Sequence, residues 1–550
     1  MSSRPGVAWR FAAVLCLLAA RAAFPATEPA LSSPPIPPPA ELEARGAIIG
    51  SIRIVVGDVF DTSVAGEDGW LYRTANKLHI ETRNSVIRDQ LLFEPGEPYS
   101  QRLLLETERL LRANGYLYDA VIVPVAYDGT AVDLEVRTRD VWTLNPGFNF
   151  SRKGGTNTLG AQIQEDNLLG TGQELDFEWR SDVDRESILV SYFNPHFLHS
   201  YTRLGVSYVD SDDGSTKLVS LNRPFYALDV RHAGGIYAFQ SERNDPRYQL
   251  GDEVGEFAHQ EDFGEVYGGY SRGLQGRWAR RWTYGFTYDR DRFAIDPTQP
   301  LGGPLPPDRE LAYPWIGFDI VEDNFQERIN QDQIRRTEDV LVGLRASARL
   351  GYAAPAFGAD RNAIVASASV QDGTDLRPGQ SLFGSLSASG RIEQGELVNG
   401  VLSAEGRFYW ATSRYSKFYV SVSGALTEQL DEELQLTLGG DNGLRGYPLR
   451  YQAGTARALL TLEQRYYTKW YPFRLFHVGA AAFFDMGRTW GTDVTGLESS
   501  GLLKDVGIGL RLGSSRSSFG NVVHIDLAFP LDGDDDMDSV QLLVQTKGSF

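Results

Sequence analysis

The chain ends on Ser539–Phe550, SVQLLVQTKGSF. Val540, Leu542, Val544, Thr546, Gly548 and Phe550 fall on one face of an extended chain. Ser539, Gln541, Gln545 and Lys547 fall on the other, with Leu543 the exception. Successive side chains of a strand point to opposite faces, so this stretch reads as a strand with one wet face. In the segment before it, Val523, Ile525, Leu527, Phe529 and Leu531 oppose His524 and Asp526. Ile508, Leu510 and Leu512 oppose Gly507, Gly509 and Arg511, and Leu175, Phe177 and Trp179 alternate with Glu174, Asp176, Glu178 and Arg180. The same texture, broken by Gly, Asn, Asp and Pro turns, runs from Asp140 to the end. A soluble sandwich would bury the apolar face, whereas a membrane barrel turns it to lipid. Charges recur along the polar faces over hundreds of residues, with little else to cover the apolar side. The last strand also stops on an aromatic residue. Both features favour a transmembrane antiparallel β-barrel, whose closure removes the unpaired edges that lipid does not tolerate.

Composition sets the outer limits. The 550 residues carry a formal net charge of −19, which argues against nucleic acid as a partner. Arg4 and Arg10, the apolar run Phe11–Ala20 and the small residues after it read as a signal peptide over 1–26. The single cysteine, Cys16, lies inside that run, so the processed chain is expected to hold no disulfide. No later stretch offers the roughly 20 consecutive apolar residues of a membrane helix, which leaves a barrel untouched. The 10 Trp, 25 Tyr and 28 Phe suit aromatic girdles at the two interfaces, although a large soluble β-protein can be aromatic too.

Residues 27–46 include SSPPIPPP at Ser32–Pro39 and read as an extended linker. A mixed module follows over 47–139. Ile48–Val56 reads as a strand, while Asn84–Phe93 and Gln101–Asn114 read as helices, the second with Ser100 as N-cap and Gly115 as stop. Tyr116–Tyr127 and Ala131–Thr138 read as a hairpin turned at Asp128-Gly129. The order is β-α-α-β-β with an insertion at Gly57–Arg83.

Within the barrel region 140–550, Gly439–Pro448 reads GGDNGLRGYP. It lacks the Gly-Lys-Ser/Thr of a phosphate loop and the spacing of a dinucleotide fingerprint. Projected onto the alternation, Glu463, Arg465, Asp485, Arg511 and Asp526 all share the wet face, with Gly479 and Ala481 leaving room beside them. A loop over 439–453 folded into that lumen would set Arg445 against Asp485 or Glu463 in a charge-assisted, bidentate pair. The plainer alternative is an exposed loop with a solvated arginine, worth little.

These motifs resemble the BamA/TamA outer-membrane assembly superfamily, which also contains two-partner secretion transporters. Gly440, Leu444, Arg445, Gly446 and Tyr447 match its inward-folded loop. Phe483-Phe484-Asp485-x-Gly487 matches the next motif, whose aspartate partners the loop arginine. Gly507–Arg511, Asp526–Leu531, terminal Phe550, Asp140–Leu144 and Glu165–Gly172 match in order. The resemblance covers about 47–550 and implies a sixteen-stranded barrel in the Gram-negative outer membrane. It also implies a polypeptide-transport-associated (POTRA) module in the periplasm. Its implied partners are outer-membrane lipid, unfolded outer-membrane or secreted client polypeptides and periplasmic chaperones. The expected role is assembly of proteins into that membrane through a lateral seam. A secretion transporter passing a polypeptide through the lumen, or a passive channel or surface antigen, remains open. The chain has room for one POTRA module, against five in BamA and three in TamA. More segments alternate than sixteen strands need; the surplus, mostly Arg231–Phe318, reads as long surface hairpins.

The seam is expected between Val141–Arg152 and Val540–Phe550. Pro146 lacks an N–H for the ladder, while Gly147 and Gly548 loosen the two strands beside the terminal Phe550. Enzymatic motifs are wanting. His196 and His199 form the one close histidine pair, no H-E-x-x-H or G-x-S-x-G occurs, and Asp532–Asp538 lacks the glycine and closing glutamate of a calcium loop. No metal, cofactor or catalytic residue is expected.

Overall fold

The structure is a computed structural model that describes residues 36–496, 501–518, 522–533 and 537–547. The N-terminal module contains α1 (Pro39–Ala44), β1 (Ile48–Gly57), α2 (Trp70–Leu78), α3 (Asn84–Arg88), α4 (Gln101–Arg112), β2 (Leu117–Tyr127) and β3 (Ala131–Asp140). Its sheet runs β1-β3-β2, with β1 parallel and β2 antiparallel to β3. Asp128 makes the hairpin turn by accepting the N–H groups of Thr130 and Ala131 at 2.8 and 2.7 Å. Leu104 and Leu111 of α4 pack with Ile122, Val132, Leu134 and Val136 into one core.

Three features of the module differ from the sequence reading. Part of the expected linker is α1, whose Leu42 is buried in the module core. The Gly57–Arg83 insertion carries a helix of its own, α2. The first expected helix stops at Arg88, and Ser100 precedes α4 without a side-chain cap bond. Glu43 of α1 supplies that bond instead, accepting the Gln101 N–H at 2.8 Å. An N-terminal N–H needs an acceptor, and here tertiary structure provides it.

Of the remaining strands, 20 close into an antiparallel barrel, from Leu144–Lys153 to Gln541–Lys547. The expected sixteen is therefore corrected. Segments read as surface hairpins, His232–Gln249, Asp252–Gln275, Trp278–Ala294 and Arg309–Glu322, are wall strands paired in continuous ladders. They are long, the second having 24 residues, against about 9–11 for a membrane crossing. Beyond the crossing the outer face turns polar with Glu256, Gln260 and Asp262, while the inner face buries Phe257 and His259, so the apolar-outward alternation that Val266 and Tyr270 carry lower down is lost.

The wall has an apolar outside and a polar inside. On Val522–Pro530, Leu527 and Phe529 are exposed outward while His524 and Asp526 are buried. Leu543, the exception in the last strand, turns inward onto Phe483 and Ala528. Ile188, Ile236, Val266, Ile316, Leu350, Leu386, Leu402, Val422, Ile508 and Leu542 all stand exposed on the outer face. Apolar exposure on that scale marks a surface made for contact, here one that encircles the molecule. No described helix is long and apolar enough to cross a membrane.

Two segments fill the lumen. Residues 429–455, between strands Ser416–Glu428 and Ala456–Tyr467, enter from the end opposite the module and carry a short ladder, Leu436–Leu438 with Gln452–Gly454. Residues 323–344 enter from the module's end as a hairpin, Phe325–Ile329 paired with Thr337–Leu341.

Candidate functional site

Strands Ala456–Tyr467, Phe476–Trp490, Leu503–Ser514 and Val522–Pro530 lie side by side in register. Alternation turns Glu463, Arg465, Asp485, Asp505, Arg511 and Asp526 inward, and all are buried. Onto this wall the loop delivers Arg445. Its Nε and Nη2 donate to Asp485 Oδ2 and Oδ1 at 2.6 and 3.0 Å, and its Nη1 donates to Glu463 Oε2 at 3.0 Å. The guanidinium also lies 3.3 Å from the centre of the Phe483 ring. Asp526 Oδ2 stands 3.8 Å from Arg445 and pairs with Arg511, which reaches Glu463 at 3.5 Å. Arg465 completes the set, donating from Nε to Glu463 Oε1 at 2.9 Å. Sequence reasoning offered Asp485 or Glu463 as the arginine's partner; the geometry uses both.

The rest of the loop is shaped around that contact. Gly446 donates its N–H to Asp505 at 3.0 Å, and a Cβ there would stand 2.7 Å from the Asp505 Cβ. Only glycine fits so close an approach. The Tyr447 hydroxyl lies 2.8 Å from the carbonyls of Lys504 and Asp532. Leu444 is buried with Leu438, Tyr447 and Tyr451, and Gly440 donates its N–H to the Pro448 carbonyl at 2.8 Å. Gly487 gives room to the same hairpin, since a Cβ there would meet Leu438 at 2.9 Å. Asp505 and the Phe483 ring were missed as partners. Asp505 was legible as an inward residue two positions before Gly507, but nothing local tied it to Gly446.

The second lumen segment was missed entirely. Arg465 Nη1 donates to the Gln331 carbonyl at 3.0 Å, the Tyr467 hydroxyl to the Asn330 carbonyl at 2.8 Å and the Tyr409 hydroxyl to Asp332 at 2.9 Å. At the hairpin's base, Arg112 of α4 holds Asp339 in a fork at 2.6 and 2.8 Å and Glu327 at 2.8 Å. A continuous polar chain thus runs from the module through the hairpin and Arg465-Glu463 to Arg445.

At the expected seam, the described residues of Leu144–Lys153 and Gln541–Lys547 share one ladder pair, Arg152 with Val544. Pro146 and Gly147 pair on their other side, with Ile163 and Gln162. The chain just before the first strand is stitched elsewhere. Trp142 donates its N–H to Arg516 and accepts one from Ser518, while Asn145 exchanges hydrogen bonds with Ser517 and Ser518. A cavity of about 650 Å³ reaches this seam, lined by Phe148, Phe150, Val544 and Gln545, by Thr158, Glu178 and Arg180 of the next two strands, and by Leu449 and Arg450 of the inward loop. Gly548 and Phe550 lie outside the described residues.

Among the described residues, one cluster has donors of the metal-binding type, His259, Glu261 and Asp291. Its atoms are already paired, His259 to Asp245 at 2.6 Å and to Asp291 at 3.1 Å, with Arg243 on Glu261 and Arg309 on Asp291. His199 approaches Asp89 rather than His196.

No protein-family model matches the chain, and no curated protein matches it. Among solved structures it is similar to BamA from Haemophilus ducreyi lacking POTRA domains 1–3, at 13% identity over 90% of this chain and 84% of that one, with a TM-score of 0.37. It is also similar to CdiB from Acinetobacter baumannii, at 12% identity over 91% and 73%, TM-score 0.44. CdiB from Escherichia coli shows 15% identity over 91% and 76%, TM-score 0.44. At these values the functional reading rests on the geometry of this chain.

Proposed function

We propose that this chain is an outer-membrane barrel of the BamA/TamA type, with its POTRA-like module in the periplasm, that helps unfolded client polypeptides insert into the membrane. The observation that carries the reading is the seam, joined by one ladder pair among the described residues and backed by a cavity. Strand edges left unpaired are templates for another strand, and main-chain hydrogen bonding to such an edge accepts many sequences. The lumen is an unattractive path for a polypeptide, being occupied from both ends by the chain's own segments. That favours lateral insertion over secretion through the pore. The reading has no catalytic residue; Arg445 and its partners position the loop behind the seam.

The test is a disulfide across the seam, Ser151→Cys with Gln545→Cys, in a Cys16→Ser background. Oxidation is expected to block assembly of barrel proteins in cells depleted of the natural chain, and reduction to restore it. Undiminished assembly with the bond formed would refute the seam mechanism. Outer-membrane proteomics after depletion separates the alternatives: loss of many barrels supports insertion, loss of one exported protein supports secretion, and no loss supports a passive channel.

A further inference from the structure

The insertion that holds α2 is bolted to the barrel rim, and its outer face is greasy. Arg516 pairs with Glu67 at 2.6 Å, Tyr72 donates to the Phe473 carbonyl at 3.2 Å, and Arg474 donates to the Ala65 carbonyl at 3.3 Å. Asn76 holds both backbone groups of Phe60 at 3.1 and 2.8 Å, and the Phe60 and Tyr72 rings lie 4.8 Å apart. With Tyr72, Ala75 and Asn76 facing the rim, the helical period turns Trp70, Thr74 and Leu78 away and sets Leu71 at the edge between the two sides. Trp70 is 78%, Leu71 59% and Leu78 68% exposed. Arg73 and Lys77 flank this face and are exposed as well. Beside it, in the adjoining turn, Trp470 and Phe473 are exposed. Beneath α2 a cavity of about 640 Å³ is lined by Leu71 and Ala75 of the helix and by outward-facing Leu144, Phe476, Leu512 and Val523 of the wall. The helix face therefore continues the apolar outer surface of the barrel.

We infer that α2 is an interfacial foot that rests in the phospholipid leaflet on the module's side of the membrane. Trp70, Leu71 and Leu78 enter the headgroup boundary, acyl chains fill the cavity, and Arg73 and Lys77 meet the phosphates. A short helix with an aromatic-aliphatic face flanked by basic residues suits an interface rather than water. Tryptophan suits the same level, with its ring in the apolar region and its N–H in the wet one. The chain is acidic overall, at −19, so a basic flank here is a local choice that anionic headgroups reward.

The inference needs the barrel to sit in a bilayer, and the test keeps the two claims apart. In a Cys16→Ser full-length background, Trp70→Cys, Leu78→Cys, Thr130→Cys and Leu386→Cys are labelled singly with bimane. Each is reconstituted in phosphatidylethanolamine and phosphatidylglycerol vesicles. Nitroxide lipids carry the quencher either near the headgroup or deep in the chain. Headgroup nitroxide is expected to quench positions 70 and 78 about threefold more than position 130 at the module's far tip, as for a helix in the interface. Deep nitroxide is expected to quench Leu386→Cys on the barrel wall. Quenching at 70 and 78 equal to that at 130, with position 386 quenched, overturns the foot alone. An unquenched position 386 overturns the membrane barrel and the foot with it. Relief of quenching at 70 and 78 by an added peptide of alternating apolar residues would assign the face to polypeptide and overturn the lipid reading.

Discussion

Arg445 meets two carboxylates and an aromatic face while buried, a setting in which charge and shape both matter. Lysine has the charge without the planar fork. Arg445→Ala would strip Asp485 of its guanidinium fork while Glu463 keeps Arg465 and Arg511, at a cost on the order of 3–5 kcal/mol for a broken buried pair. That exceeds what a surface loop supplies, so the loop is expected to leave the wall. Arg445→Lys is expected to lose most of the assembly activity proposed above. In a double-mutant cycle with Asp485→Ala, measured by urea unfolding in detergent, the coupling is expected to be on the order of 2 kcal/mol. Fully additive effects would show that the contact contributes nothing. At this scale the sequence was informative, because strand alternation states which side chains face the lumen. It could not show that Asp505 takes the Gly446 N–H, since that bond joins elements 59 residues apart.

The hairpin at 325–341 and helix α4 form a joint between the module and the lumen. Arg112→Ala removes the bonds to Asp339 and Glu327, and hydrogen exchange at 330–335 is expected to quicken while the wall strands stay protected. Unchanged exchange there would mean the hairpin is held by the barrel alone. Glu106 of α4 makes a second joint, accepting the Leu228 N–H at 2.8 Å from a barrel turn and pairing with Arg102 and Arg109. Burial pushes the carboxyl above its ordinary 4.5, and the bond from Leu228 and the two arginines offset only part of that. The folded state then holds its proton more tightly than the unfolded chain, so stability falls as pH rises from 4.5 through the raised value. Glu106→Gln is expected to match the wild type at the acid end and to become relatively more stable toward neutrality. Hydrogen exchange of α4 across that range measures the difference, and a pH-independent gap would contradict it. Neither joint was legible in the sequence. Phe325–Leu341 looks like any short polar hairpin, and only the fold reveals that it lies inside the wall.

Across the whole molecule, 20 strands make a wider cylinder than sixteen, since diameter grows with strand number. The extra width is the space that the two lumen segments occupy. In planar bilayers the intact protein is therefore expected to conduct little. Replacing 325–341 by a short Gly-Ser linker is expected to raise conductance severalfold, a direct measure of how much of the bore that hairpin closes; unchanged conductance would place the restriction in the inward loop. Fold class and inward face were readable because lipid and water impose a period of two. Strand number was not, because the upper part of Asp252–Gln275 carries Glu256, Gln260 and Asp262 outward and Phe257 inward, and loses the apolar-outward period there.

A wall whose described residues are fastened at Trp142–Ser518 and again at Arg152–Val544, with no other ladder pair among them, would part as a buttonhole rather than a door. A guest strand that slips into such a slit is flanked by a tether at each end and cannot drift out along the membrane. On the function proposed above, departure would require undoing one fastening, which would put the slow step of each cycle on release rather than on admission.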